Sequence, residues 1–284
     1  MALTQEQLRH FEIFGYLHLH NLFAREISGF IDRFEAIFAA QGGGHNGRPH
    51  DHGQNSNIQQ FIDRDGGLCS LVDDPRIADL VRAVLHGDDY NYTSSDANLF
   101  ATDTDWHSDR SSDSKYASVK IVFYLDSLER DTGCLRVIPG SHRFGDSFAD
   151  ALRAMAPISH DHRHEEVFGL PGKEIPAVAL ETQPGDLVAF NHHLKHASYG
   201  GSTKRRMFTL NFQQRYEEED LPQLQKEIEG QHIFWLEKAY GEAMIRTTGP
   251  ERMRHLEQRL ANVGRLPELA RKARAEVAEP PRFG

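Results

Sequence analysis

Gln183-Pro-Gly-Asp-Leu-Val-Ala-Phe190, continued by Asn191-His-His-Leu-Lys-His196-Ala-Ser198, carries the pattern on which the fold reading turns. Pro184, Gly185 and Asp186 make a turn, Leu187 to Phe190 is an unbroken apolar run of strand length, and a histidine-rich segment follows at once. A short apolar run bounded by turn residues is what a strand buried in a sheet core looks like. Runs of the same kind, rich in Val, Ile, Phe and Tyr, recur at Ala117 to Leu125, Leu135 to Ile138 and Arg206 to Phe212. Together they predict an antiparallel sandwich or barrel that begins near residue 88.

Helical spacing surrounds this β region. Thr4 reads as an N-cap ahead of Leu8, Phe11 and Phe14, with Gly15 as the stop, and Tyr16 to His20 alternates like a strand. Ile27, Phe30, Ile31, Phe34 and Phe38 share one face of a helix over 24–40, and Pro75 to Leu85 is a third helix. Residues 42–56 are polar and rich in glycine and histidine, as a loop is. A polar insertion at 141–165 holds a helix at Ser147 to Met155. Helical spacing returns at Leu224, Ile228 and Trp235 and again from Glu251 to Val263, and the tail from Glu279 reads as loose. A single domain over 1–284 is expected: N-terminal helices and a lid loop at 1–87, a β core at 88–213, and a C-terminal helical extension at 214–284.

The formal net charge of -10, from 42 acidic and 32 basic residues, argues against general affinity for nucleic-acid phosphates, although a local basic pocket for a small anion is compatible with it. Two cysteines, Cys69 and Cys134, are too few for a disulfide framework and fit a reducing compartment. The start lacks a basic segment followed by an apolar run, and no stretch approaches the roughly 20 apolar residues of a membrane span. A cytoplasmic protein with no membrane and no nucleic-acid partner is the expectation.

The chain has 17 histidines, and spacing must separate ligands from solvated residues. In Thr104-Asp-Trp-His-Ser-Asp109, an extended backbone projects His107 and Asp109 to the same face. The pair offers an imidazole and a carboxylate to one cation, though His-x-Asp alone is a weak signal. A histidine from the 192–196 segment would complete two imidazoles and one carboxylate, the facial set of non-haem Fe(II) oxygenases, which leaves positions open. His192, His193 and His196 all compete for that place. Lys204-Arg-Arg206 then opens the apolar run Met207 to Phe212. The planar fork of an arginine suits a carboxylate, and an oxoacid chelating such an iron needs a partner for its far carboxylate.

The order His-x-Asp, then Gly133-Cys-Leu-Arg-Val-Ile-Pro-Gly-Ser-His-Arg143, then Gly185-Asp-Leu-Val-Ala-Phe190, then His196-Ala-Ser198, then an arginine opening a strand resembles the phytanoyl-CoA dioxygenase family. Leu3-Thr-Gln-Glu-Gln-Leu8, Phe11 and Gly15-Tyr-Leu17 resemble the start of that family, so the resemblance runs from about residue 3 to 213. It implies a double-stranded β-helix (jelly-roll, cupin-like) core flanked by helices, an all-β core within an α+β chain. It implies His107, Asp109 and His196 as Fe(II) ligands, Ser198 as a donor to 2-oxoglutarate, and an arginine before the last core strand as the partner of the 2-oxoglutarate carboxylate. Counting back from Phe212 favours Arg205 over Arg206, and the two point to opposite faces of a strand. Asn98 is a further candidate for a 2-oxoglutarate contact, and Lys120 is either substrate-facing or exposed.

The implied chemistry consumes 2-oxoglutarate and O2, releases succinate and CO2, and oxidises a C–H bond of a small molecule. Asp109 stands where related halogenases lack a carboxylate, which favours hydroxylation or desaturation over halogenation. The alternatives are a metal-binding jelly-roll module without catalysis and a cupin-like metalloenzyme without a cosubstrate.

Elsewhere plainer readings stand. His160, His162 and His164 alternate in a polar loop without an acidic or cysteine partner at metal-ligand spacing, and His50 and His52 are loop residues. Trp106 reads as core or as a support for the candidate ligand it precedes, Cys134 as buried filler, Gly140 as a turn residue, and Glu217 to Asp220 as a helix start. The substrate pocket is expected between the loop at 42–60, the insertion and the C-terminal helices. The polarity of Arg48, His50, Asp51, His52 and Gln54 points to a polar or zwitterionic metabolite, and the C-terminal helices are candidates for a homodimer contact.

Overall fold

The computed structural model describes residues 2–110, 114–155, 169–201 and 205–282. Its strands are β1 (Tyr16–Leu19), β2 (Ser56–Gln59), β3 (Tyr90–Ser94), β4 (Asp96–Phe100), β5 (Thr104–His107), β6 (Ser118–Tyr124), β7 (Leu135–Val137), β8 (Val178–Leu180), β9 (Leu187–Asn191), β10 (His196–Ser198) and β11 (Arg205–Gln214). They form a seven-stranded sheet, ordered β1-β9-β6-β11-β4-β2 with β3 also paired to β11, and a four-stranded sheet ordered β5-β10-β7-β8. All the pairings are antiparallel, and strands distant in sequence lie side by side. This is the jelly-roll core with flanking helices.

Alternation along the strands sorts the side chains of the larger sheet. On β6 and β11, Val119, Ile121, Phe123, Phe208, Leu210 and Phe212 enter the main apolar core. Helix Ile27–Ala40 covers that face: Phe30 meets Phe123 and Phe208 edge-on, and Phe34 packs on Phe61. The intervening residues Lys120, Val122, Tyr124, Arg205 and Met207 point the other way, into a cavity between the two sheets. Phe123 and Phe208 stack with centroids 4.6 Å apart, and neither is solvent-exposed. Truncating Phe208 to alanine is therefore expected to lower unfolding stability by about 3–5 kcal/mol. A urea midpoint close to that of the native chain would show that the stack carries no such weight.

Local rules explain most element ends. Thr4 caps helix Gln5–Phe14 in a reciprocal box with Gln7, and Gly15 ends it at φ 85. Asp74 accepts the Arg76 amide at the start of helix Pro75–Val84.

Four expectations are corrected. Residues 56–59, assigned to the polar loop, form β2 against β4, because Asn57 and Gln59 face the cavity while Ile58 is buried on the opposite side. The helix expected over Glu251 to Val263 is broken into Pro250–Arg254 and Glu257–Ala261, and Trp235 lies beyond helix Leu221–Gly230 in a left-handed turn. A last helix, Leu266–Glu276, escapes hydropathy reading because only Leu266 and Ala270 are buried. The tail is held: Nε2 of His45 donates to the Pro280 carbonyl at 2.9 Å, and Arg282 bonds the Asn55 carbonyl. Among the described residues no helix is long and apolar enough to cross a membrane.

Candidate metal centre

The smaller sheet brings the predicted pair and the distal histidine together. Antiparallel pairing sets His196 of β10 directly opposite His107 of β5, and the ladder shifts register between His196 and Ser198. Asp109 follows β5 by two residues. Its Oδ1 lies 3.9 Å from Nε2 of His107 and 3.9 Å from Nε2 of His196, and one ligand atom from each of the three residues falls within 4.8 Å of the others. That spread matches three donors around one small ion.

Backbone carbonyls settle the tautomers. Nδ1 of His107 is 2.7 Å from the Asp105 carbonyl, and Nδ1 of His196 is 2.8 Å from the Leu194 carbonyl. A carbonyl oxygen can only accept, so each Nδ1 carries the proton and each Nε2 presents its lone pair toward Asp109. Burial, with His196 beside it, pushes His107 down to about 3, so protons do not compete for that lone pair near neutrality. His196 is lowered as well, first by burial. Burial alone would raise the Asp109 carboxyl, but Lys120 and the surrounding histidines outweigh it and hold the group below the usual carboxylate range. Lys120 Nζ bonds Asp109 Oδ2 at 2.9 Å, which leaves Oδ1 as the free donor.

The segment Gly133 to Arg143 supports this geometry. β7 pairs with β10 at His196 and Ala197, the Ile138 amide donates to the Lys195 carbonyl, and Ser141 Oγ accepts the Lys195 amide. Gly133, at φ 98, passes so close to Arg205 that an added Cβ would sit 2.8 Å from its Cδ, and at Gly201 it would sit 2.9 Å away. These two glycines open the channel in which the arginine lies.

Arg205 is 3% exposed, rests on the Phe100 ring at 3.6 Å, and donates from Nη2 to Thr104 Oγ1 at 3.1 Å. Its Nε and Nη1 are buried without a hydrogen-bond partner, and it forms no salt bridge among the described residues. Burial pulls it down to about 10, so it is still cationic at neutral pH. The neighbouring Tyr124 is raised by burial, remains a neutral phenol, and supplies no countercharge. Arg205, Ser198, Asn98 and the three metal-ligand candidates all border one cavity of about 310 Å³. A buried cation with unmatched N–H groups, sharing a cavity with a carboxylate and two imidazoles, fits a ligand that chelates an ion and ends in a carboxylate. Arg206 turns outward instead and pairs with Asp126 at 2.7 Å.

The other candidates separate clearly. His192 Nε2 lies 2.9 Å from Asn211 Oδ1, and His193 bonds Asn191, so neither joins the cluster. Asn98 lines the cavity with its amide engaged by Asn57 and Asp96. His50 bonds Ser56 across the loop, Trp106 donates to the Gly172 carbonyl inside a small apolar cluster, and burial pushes the Cys134 thiol up to about 11. Glu217 and Asp220 ion-pair with Lys115. His160, His162, His164 and Lys204 lie outside the described residues. Lys120 was undecided from sequence, although strand alternation with Val122 and Tyr124 carries the signal that places it in the cavity. A second His-His-Asp group, His18, His20 and Asp186, has its carboxylate occupied by the Asn21 and Gln183 amides and serves the turn before β9.

The profile of the phytanoyl-CoA dioxygenase (PhyH) family matches residues 11–208. The chain belongs to the phytanoyl-CoA dioxygenase family. The family's enzymes are dioxygenases that use Fe(II), 2-oxoglutarate and O2. A 102-residue stretch is 31% identical to dioxygenase lolE1 of Epichloe uncinata, covering 35% of this chain and 35% of that relative's length. Among solved structures, the non-haem α-ketoglutarate-dependent carbocyclase SnoK from nogalamycin biosynthesis superposes with a TM-score of 0.58 at 20% identity, covering 77% of this chain and 88% of SnoK. EvdO2 of Micromonospora carbonacea var. aurantiaca, complexed with 2-oxoglutarate, gives 0.55 at 18% identity over 75% of this chain and 92% of its own. EctD of S. alaskensis gives 0.53 at 21% identity, covering 74% and 76%. At such identities these likenesses speak to the fold.

Proposed function

We propose that this protein oxidises a C–H bond of a small polar molecule, by hydroxylation or desaturation, with His107, Asp109 and His196 holding Fe(II) and Arg205 and Ser198 holding 2-oxoglutarate. Hydroxylation balances as R–H, 2-oxoglutarate and O2 giving R–OH, succinate and CO2. Bound iron would supply the oxygen chemistry. The chain's own task is placement. The two Nδ1–H···O=C bonds orient the imidazoles, Lys120 restricts Asp109 to one donor oxygen, and Arg205 neutralises the far carboxylate of the cosubstrate. The apolar wall of Val122, Leu135 and Phe190 excludes water from that end of the cavity.

The unmatched, buried Arg205 beside the His-Asp-His group carries this reading, because a metal module or isomerase without a cosubstrate has no use for it. Purified full-length chain supplied with Fe(II), 2-oxoglutarate and O2 is expected to release succinate, and omission of any one component should stop the release. Metal uptake with neither 2-oxoglutarate binding nor succinate formation would reject the proposal.

A further inference from the structure

Four arginines among the described residues are less than a tenth exposed: Arg136, Arg205, Arg252 and Arg259. Arg136 pairs with Asp131 and Arg252 with Asp73, whereas Arg205 and Arg259 form no salt bridge among the described residues. Arg205 has its occupant in the proposed function. Arg259 is 2% exposed, its Nε has no hydrogen-bond partner, and the buried Tyr240 hydroxyl that accepts from its guanidinium is raised by desolvation, so it remains a neutral phenol and supplies no countercharge. An unpaired buried cation is too costly to keep as packing alone.

Arg259 borders a second chamber, about 570 Å³, between the sheets and the C-terminal helices. Asp96, Asp109 and Lys120 line both this chamber and the one holding Arg205, so the two meet at the metal-ligand carboxylate. Of the other charges of the chamber, Arg110 pairs with Glu227 at 2.9 Å and Lys120 with Asp109, while Asp96 accepts from Asn98 and Thr209. The wall also carries unmatched acceptors. His192 gives its Nε2 proton to Asn211, leaving Nδ1 without a partner, and Gln231 Oε1 has none either. The chain beside Arg259 is anchored, because the adjacent Gln258 bonds Asn91 and both backbone groups of Tyr216.

We infer that Arg259 anchors the primary substrate through an oxyanion, a carboxylate or phosphate, and that this substrate also carries hydroxyl or ammonium donors. This rests on the oxygenase reading for its placement beside Asp109. The anion seats against the C-terminal helices, and the rest of the molecule reaches past Lys120 toward the metal-ligand group. The C-terminal helices then set the substrate class, while the sheets hold the reactive centre.

Calorimetric titration of the full chain, loaded with Fe(II) and 2-oxoglutarate under nitrogen, tests it with glycolate, methyl phosphate and the neutral glycolamide. Either or both anions are expected to bind at least tenfold tighter than glycolamide, and the stronger of the two names the oxyanion. Arg259→Gln should abolish that preference and Arg259→Lys should keep part of it. Equal binding of acids and amide by the native chain, or binding of none, overturns the inference without needing a variant. An unaltered preference in a folded Arg259→Gln protein overturns it too. Binding of 2-oxoglutarate is measured first on the same sample. If that fails while the acid preference appears in metal-free protein, the oxygenase reading falls and the anion site stands.

Discussion

Arg205→Met is expected to move two observables in opposite directions, weakening 2-oxoglutarate binding while raising the stability of the ligand-free chain. Breaking a buried ion pair by removing one partner costs about 3–5 kcal/mol, which is roughly a hundredfold or more in affinity. In the ligand-free protein the same guanidinium is 3% exposed, with two nitrogens unbonded and no carboxylate among the described residues paired to it. A methionine fills the channel between Gly133 and Gly201 without a charge to desolvate, so a gain of roughly 1–3 kcal/mol is expected. Arg206→Met is the control. Losing the Asp126 pair should cost stability, about 1–3 kcal/mol, and leave 2-oxoglutarate affinity near that of the native chain. Calorimetric titration and urea melts read both quantities. An Arg205→Met protein that binds 2-oxoglutarate as the native chain does would remove the cosubstrate role of Arg205.

The opposite behaviour of two adjacent arginines shows which parts of the site the sequence discloses. Strand periodicity alone says that Arg205 and Arg206 face opposite sides, and the apolar run from Met207 to Phe212 says a buried strand follows. Likewise His107 and Asp109 project together because they are two apart, and His196 is reachable because a strand-length run and a turn precede it. Local rules sufficed there because His107 and His196 sit on strands and Asp109 follows one by two residues. What stayed hidden depends on pairings made far along the chain. Asn57 and Gln59 read as loop residues until β2 is seen bonded to β4. Gly133 opens a motif legible in the sequence, but the reason for a glycine there appears only when Arg205, 72 residues later, is seen to need the space. The partner of Lys120 is hidden in the sequence because it is Asp109, two residues past a strand of the other sheet. Arg259 lies on a short helical turn with no periodicity to mark its buried side. Residues 156–165 of the insertion lie outside the described ones and its described part borders neither chamber, whereas Gln223, Glu227 and Arg259 of the C-terminal helices border the second.

The dependence of Asp109 on Lys120 makes the largest effect on metal binding separable into two parts. Asp109→Asn keeps the shape of the side chain and removes the negative charge from the donor set. It also leaves the Lys120 ammonium, 2.9 Å from the substituted oxygen, as a buried cation facing the place of a divalent ion. Lys120 has 17% of its side chain exposed, so solvent screens it weakly. Fe(II) affinity should therefore fall by more than the roughly 10–100-fold that loss of an outer partner usually costs, and succinate formation should fall with it. In Asp109→Asn/Lys120→Met the repelling charge is gone, and part of the metal affinity should return although the carboxylate does not. Turnover should remain lost, because the ion would still lack its anionic ligand. Equilibrium titration with Mn(II) or Fe(II) across the two single variants and the double variant isolates the coupling. If the losses in the two single variants simply add in the double, the ammonium exerts no force on the ion, and Lys120 serves only to orient the carboxylate.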